Sequence, residues 1–378
     1  MLKNLTCIAI FAIGNCCALE PILISHTVLR SAITHTVYGA ATFPLHAQVI
    51  TMPLNTVDLR LEMAEGQREE VSSIAQRTGA YIAINGANYR RGGRYNGNRV
   101  NLLYANNRIY SDLGLKRGSV SWNNQTKSLT IGLAFLDATL IINGTSYPID
   151  CINQPRRPGQ AVLYTDVADP SLMNYSPGIT MLIDPALTVR DIGRTAPKIL
   201  CPGWYAYQAD NEKVPICVGH RVSLSFALQS NTRNNDSAYD FVLGGAGLLI
   251  QDGQSITNKL YAEFSEGLAV THCHDEVAAD FHTQNMQEWL IEQRHPRTAI
   301  GITKKNELCL VVVDGRQHSS EGLTLHELAE FMGYIGCIHA LNLGGGGCST
   351  LYIDGKITNR PSGNEERPVS EALCIYSE

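Results

Sequence analysis

Residues 308–313 are apolar without interruption. The run is short for a helix and rich in valine, so it predicts a strand buried on both faces, ending at Asp314-Gly315-Arg316. Thr324-Leu325-His326-Glu327 has the make-up of a capping box, in which a threonine hydroxyl and a glutamate three positions on satisfy the first amides of a helix. Leu325, Leu328, Ala329, Met332 and Ile335 recur at helical spacing along one side, and Gly336 stops the helix. Residues 338–343 read as a second strand, running into Gly344-Gly345-Gly346-Gly347. Strand, helix and strand in this order predict a right-handed βαβ unit with parallel strands whose carboxyl ends share one sheet edge. Ligand sites gather at such edges, so Asp314, Arg316 and the glycine run are expected to be neighbours.

The rest of the chain alternates strands and turns. Residues 35–64 are β-rich, and residues 69–79 form a helix with Val71, Ile74 and Ala75 on one face, closed by Gly79. Residues 80–84 are a buried strand leading into Asn85-Gly86. Strands are expected at 129–136, at 139–142 before the Asn143-Gly144 turn, at 223–228, and in a hairpin about Asp354-Gly355. The fold class is α+β: a mixed sheet with a βαβ unit near the C-terminus and several β-hairpins.

Residues 1–18 stand apart. Lys3 precedes a short apolar run at 5–13, and Cys16-Cys17-Ala18 follows, which reads as a secretory signal cleaved after Ala18. A membrane anchor is the alternative, but the run falls well short of the ~20 apolar residues a spanning helix needs. Residues 19–79 then form the strand-rich start of the domain and 80–378 its main body. An extracytoplasmic location, secreted or periplasmic, with no membrane span in the mature chain, is the expectation.

Composition narrows the ligand. With 44% hydrophobic residues among 378, the chain has the apolar material for a core, and a net charge of −5 without a lysine or arginine run argues against nucleic acid. Small molecules or glycans are the expected partners. Of the 11 cysteines, Cys7, Cys16 and Cys17 lie in the leader, and the remaining even number suits disulfides among Cys151, Cys201, Cys217, Cys273, Cys309, Cys337, Cys348 and Cys374. Cys201 and Cys217, flanked by prolines, suggest a stapled loop, whereas Cys309 within an apolar strand reads as a buried thiol.

Four glycines after a strand let backbone amides approach an anion, although such runs also serve as plain turns. No P-loop ending follows, and no cofactor is implied. Arg316, Arg360 and Arg367 could bring guanidinium forks to a phosphate, beside Asp314 and Glu366 as candidate acids. His272-Cys273-His274-Asp275 with His282 could present metal ligands, but a polar loop explains them as well, and no metal is expected. Cys348 with His339 as base is a weaker nucleophilic alternative.

His295-Pro296-Arg297-Thr298-Ala299-Ile300-Gly301, Val313-Asp314-Gly315-Arg316, the segment from Gly322 to Ala329, Asn342-Leu343 with the glycine run and Ser349-Thr350, and Asn359-Arg360-Pro361-Ser362 occur in one order and spacing. Together they resemble the phosphodiester glycosidase family, as do Ala83-Ile84-Asn85-Gly86 and residues 242–253 upstream. The resemblance covers about residues 80–360. It implies a hydrolase that cleaves a sugar 1-phosphodiester to the sugar and a phosphomonoester. It assigns acid/base chemistry to Asp314 and Glu366 and phosphate holding to Arg316, Arg360 and Arg367. Asn85, Gly86, Asn342, Gly345, Gly346, Thr350 and Asn359 become substrate-binding positions. The chain departs from the pattern where Gly344 replaces an aspartate and Cys348 a serine, and again at Ala87-Asn88-Tyr89. A phosphosugar- or glycan-binding protein without turnover is therefore the rival reading.

Overall fold

The computed structural model describes residues 19–30, 32–90, 96–173, 178–194, 200–210, 216–230, 239–268 and 284–376. Residues 1–18, read above as a secretory signal, and the His272–His282 cluster with Cys273 lie outside the described residues. The chain opens with β1 (Pro21–Val28), β2 (Thr34–Ala40), β3 (Ala47–Pro53), β4 (Asp58–Met63), α1 (Val71–Thr78) and β5 (Ile82–Asn85). Next come β6 (Leu103–Ala105), β7 (Arg108–Ser111), β8 (Arg117–Asn123), β9 (Ser128–Ile142), β10 (Thr145–Ile149), β11 (Cys151–Ile152) and β12 (Val162–Tyr164). The middle continues with β13 (Ile179–Ile183), β14 (Val189–Gly193), β15 (Tyr205–Ala209), β16 (Val222–Ser230), β17 (Phe241–Gly244), β18 (Leu248–Gln251) and β19 (Gln254–Ser255). Then follow α2 (Leu260–Leu268), α3 (Gln284–Glu292), β20 (Arg297–Thr303), β21 (Glu307–Val313), α4 (Leu325–Tyr334) and β22 (Cys337–Asn342). The described chain ends with β23 (Leu351–Ile353), β24 (Lys356–Ile357) and β25 (Glu371–Tyr376).

Among the described residues strands dominate and form four sheets. An eight-stranded sheet runs β1-β2-β3-β21-β20-β22-β18-β19, and a five-stranded one runs β24-β23-β5-β25-β4. A seven-stranded sheet contains β10-β9-β8-β17-β6-β7 with β16 on β9, and a second five-stranded sheet holds β11-β12-β15-β13-β14.

The apolar run in β21 is explained by its two faces. Leu308, Leu310 and Val312 enter a core shared with Ile82, Ile84, Trp122 and Leu373. Cys309, Val311 and Val313 face the opposite core, against Leu325, Leu328, Phe331 and Met332 of α4. The capping box of α4 is formed as its residues suggest: Thr324 Oγ1 accepts from Glu327 N at 3.0 Å, and Glu327 Oε2 accepts from Thr324 N at 2.9 Å.

Two expectations need correcting. β20 pairs antiparallel with both β21 and β22, so those two strands are parallel to each other but separated by β20 rather than adjacent. The preceding hairpin partner occupies the position that a simple βαβ unit leaves for the second strand. In addition, the segments at 129–136 and 139–142 belong to one strand, β9, whose pairing with β8, β10 and β16 carries it through without a break. The Asn143-Gly144 turn has φ of 50° and 80°, as a type I′ hairpin requires.

Replacing Thr324 by alanine removes the hydroxyl that caps α4 and is expected to cost about 1 kcal/mol of unfolding free energy. Urea denaturation measures it, and an unchanged midpoint would show that α4 does not need its cap.

Candidate functional site

The strand order of the large sheet brings four chain segments to one edge. Ala47 at the start of β3 pairs with Val313 at the end of β21, Val313 with Arg297 at the start of β20, and Ala299 with Asn342 at the end of β22. His46, Asp314, Pro296 and Leu343 are therefore consecutive along that edge. Gly315 has no room for a Cβ, which would lie 2.5 Å from Pro296 N, and Gly346 N donates to Pro296 O at 2.9 Å. Asp314 and the glycine run thus flank one proline.

Asp314 is 4% exposed and heavily bonded. Its Oδ1 accepts from Asn359 Nδ2 and from Arg360 N, each at 3.0 Å, and its Oδ2 faces His46 Nδ1 at 2.8 Å. Asn359 also donates to Ser349 O at 3.0 Å and accepts from Leu351 N at 2.7 Å, so it joins Asp314 to the chain after the glycine run. Asn359 and Arg360 reach Asp314 from the segment that follows the β23–β24 hairpin, where Arg360 contributes its backbone N–H and is an exposed residue.

The glycine run turns as a 3-10 segment, Gly346–Cys348, with Gly346 at φ 68°. Two guanidinium groups close on it. Arg316 Nη1 would lie 3.4 Å from a Cβ at Gly346, and the Arg367 guanidinium leaves no room for one at Gly347. Arg316 itself has φ 60°, a left-handed backbone that directs its side chain onto His295: Nε and Nη2 lie 3.3 and 3.2 Å from His295 Nδ1. The other ring nitrogen of His295 meets Trp289 O at 2.8 Å, so Nε2 carries the proton and Nδ1 accepts. Burial, aided by the Arg297 and Arg316 charges, pushes this histidine down to about 4 and keeps it neutral. Arg316 also borders a surface depression of about 490 Å³ lined by Arg294, Gln317, His318 and Glu321.

Asn85, fully buried, binds the same turn. Its Nδ2 donates to Gly344 O at 2.6 Å and Gly86 O at 3.2 Å, while its Oδ1 accepts from Thr298 Oγ1 at 2.7 Å and Thr350 N at 3.2 Å. The amide is committed to the protein, which makes Asn85 a clamp rather than a free ligand for substrate. By contrast, Asn342 Oδ1, Ser349 Oγ and Thr350 Oγ1 are buried without a hydrogen-bond partner among the described residues. Three such atoms within nine positions of one turn call for a ligand or water.

Several sequence assignments land elsewhere. Glu366 is drawn to the start of α1, where Ser72 N donates to its Oε2 at 3.0 Å and Ser72 Oγ to its Oε1, since the exposed amides of a helix start attract a carboxylate. Cys348 contacts Tyr89 Oη at 3.8 Å and Arg367 Nη1 at 3.9 Å, whereas His339 lies 3.8 Å from Asp252, so these two form no nucleophile and base pair. Among the described residues Cys151, Cys201, Cys217, Cys309, Cys337, Cys348 and Cys374 form no disulfide with one another, so the stapled Cys201–Cys217 loop is not formed. Among the described residues no group of three or more His, Cys, Asp or Glu side chains is placed to hold a metal.

Two residues of the site escaped the sequence reading. His46 is invisible without the pairing of β3 with β21, across 268 positions. Glu371, buried in β25, accepts from Ala87 N at 2.9 Å and packs against Gly86, where a Cβ would lie 2.7 Å from it. Burial pushes its carboxyl above the usual range. Gly86 is thus required by Glu371. Gly344 is equally confined, because a Cβ there would lie 2.7 Å from Ala87 O and 2.9 Å from Gly86 O.

A family model described as phosphodiester glycosidase matches residues 201–376, which include the edge residues after β20, the glycine run and Arg367. Over this C-terminal part the chain is similar to the phosphodiester glycosidase family, and the match spans a little under half of its length. The bovine N-acetylglucosamine-1-phosphodiester alpha-N-acetylglucosaminidase is 36% identical over 87 residues, 21% of this chain and 16% of that protein. The SPbeta prophage-derived uncharacterized protein YomE of Bacillus subtilis (strain 168) is 37% identical over 94 residues, 25% of this chain and 15% of its own length. The chain therefore aligns with only about a sixth of these curated relatives. A hypothetical protein from Synechocystis shares the fold of this chain, with TM-score 0.74 and 18% identity over 95% of this chain and 68% of the other.

An aspartate introduced at Gly344 must displace the Gly86–Ala87 backbone, so Gly344→Asp is expected to lower stability by roughly 1–3 kcal/mol and to leave activity no higher; thermal unfolding with a parallel assay decides, and a stable, more active variant would contradict the packing. His295 makes stability pH-dependent. Its folded value near 4 lies below the ordinary 6.5, so the stabilisation is complete above 6.5 and is lost as pH falls towards 4. That amounts to about 2 kcal/mol between pH 7 and pH 5. His295→Asn should flatten this interval in urea titrations; the same slope in the variant would exonerate the ring.

Proposed function

We propose that the protein hydrolyses a sugar 1-phosphodiester, releasing the sugar and a phosphomonoester. The observation that carries this reading is the approach of Arg316 and Arg367 to one glycine turn that also holds three orphaned buried polar atoms. Guanidinium forks match phosphate oxygens, and fixed cations stabilise the charge that collects on the phosphate as it leaves. The departing phosphomonoester is already a stable anion, so protonating the leaving oxygen matters less than in ordinary glycoside cleavage. Asn342, Ser349 and Thr350 supply the polar atoms for the phosphate or sugar hydroxyls, and Asn85 and Asn359 hold the turn that presents them. The bovine relative's name, which specifies N-acetylglucosamine joined through a phosphodiester, points to the same substrate class.

The site acts outside the cytoplasm in this reading. Support comes from the apolar leader at 1–18 and from a structural neighbour titled putative exported protein from Burkholderia pseudomallei K96243, which has TM-score 0.71 and 20% identity over 90% of this chain and 74% of its own. Among the described residues no helix is long and apolar enough to cross a membrane.

One observation favours a second reading, a phosphosugar-binding protein without turnover: the family's acidic position is Gly344, which cannot take a side chain. Sugar release from a nucleotide-sugar or a methyl phosphosugar separates the two. Release is expected, and Arg367→Ala should lower kcat/KM by on the order of 10²-fold with little change in melting temperature. Binding of the same compound without release establishes the second reading.

A further inference from the structure

An acid/base group must reach water, and Asp314 does not. It is 4% exposed, with Oδ1 occupied by Asn359 Nδ2 and Arg360 N and Oδ2 by His46. What it does hold is a ring. His46 presents Nδ1 to the carboxylate at 2.8 Å, and its side chain remains 35% exposed. A buried carboxylate accepts, so Nδ1 carries the proton and Nε2 keeps its lone pair. Among the described residues Nε2 has no hydrogen-bond partner.

Two other histidines of the region have ring nitrogens bonded to protein groups. His35 is bonded to Gln48 Oε1 at 2.8 Å, and both nitrogens of His295 are engaged. His46 also stands in the right place. It is next to Asp314 on the sheet edge, and through Asp314 and Asn359 it is tied to Ser349 at the end of the glycine turn.

We propose that His46 is the catalytic base of this site and Asp314 its positioning residue, a role that rests on the phosphodiester reading above. Nε2 takes a proton from a water molecule as the water oxygen bonds to the anomeric carbon. The bond from that carbon to the phosphate oxygen breaks, and its electron pair stays on the phosphate, which Arg316 and Arg367 hold. The imidazolium, stabilised by Asp314, then returns its proton to the phosphomonoester or to solvent. Water is the sole co-reactant, and the sugar leaves with a new hydroxyl.

The test compares the full chain with His46→Ala, His46→Asn and Asp314→Asn in the sugar-release assay. His46→Asn keeps an amide donor towards Asp314, which protects the fold if the alanine variant fails to fold. Both His46 variants are expected to lose 10²–10⁴-fold in kcat with KM nearly unchanged, and added imidazole should restore part of the rate of His46→Ala. Asp314→Asn should lower kcat in the same direction, because the ring loses the acceptor that sets its tautomer. Wild-type turnover retained in a folded His46 variant overturns the dyad and leaves the phosphodiester reading standing. Loss of rate in both KM and kcat without imidazole rescue makes His46 structural and also overturns it. A wild-type chain that releases no sugar overturns the phosphodiester reading and the dyad together.

Discussion

Asn85 is the point on which the site depends. Its buried amide joins the end of β5 in one sheet to Thr298 of β20 and to Gly344 and Thr350 on either side of the glycine turn in the other. Every polar atom of that amide is bonded, so removing it strands several buried groups at once, each costing about 1–3 kcal/mol. The turn can be rich in glycine and still be rigid because its position is set from outside.

Around that clamp, charge is arranged by burial. Arg297, fully buried, gives its donors to the carbonyls of Leu290, Gln293 and Leu323, and burial with the neighbouring Arg316 lowers it to about 9. His295 is held neutral beside the two arginines, which lets it accept from Arg316 instead of repelling it. The result is a cationic turn whose guanidinium at Arg316 is aimed, with Asp314 kept apart on the far side of Pro296 and already satisfied. The proposed action of the carboxylate through His46 rests on this separation along one sheet edge.

Much of this was legible along the chain. The helix opening at Thr324, the doubly buried strand at 308–313 and the Asp354-Gly355 hairpin all follow from local patterns that tertiary contacts left intact. The hydrogen bonds of Glu366 to Ser72 at the start of α1 are not legible in the sequence, because a carboxylate has more than one favourable destination and only the packing selects one. The parallel strands were recognised but not their separation, since nothing local reports that β20 inserts between them.

Periodicity, capping residues and turn glycines act over a few positions, and the sequence alone determined what depends on them: helices such as α1 and α4, the buried strand β21, the tight turns and the strand-rich character of the fold. The tertiary structure decided what depends on strands far apart in the chain lying side by side. His46 meets Asp314 only through the pairing of β3 with β21, and Gly344 is confined only because the Gly86–Ala87 backbone that follows β5 lies against it. Backbone pairing fixes such neighbours to within an ångström, and no local pattern of residues encodes it.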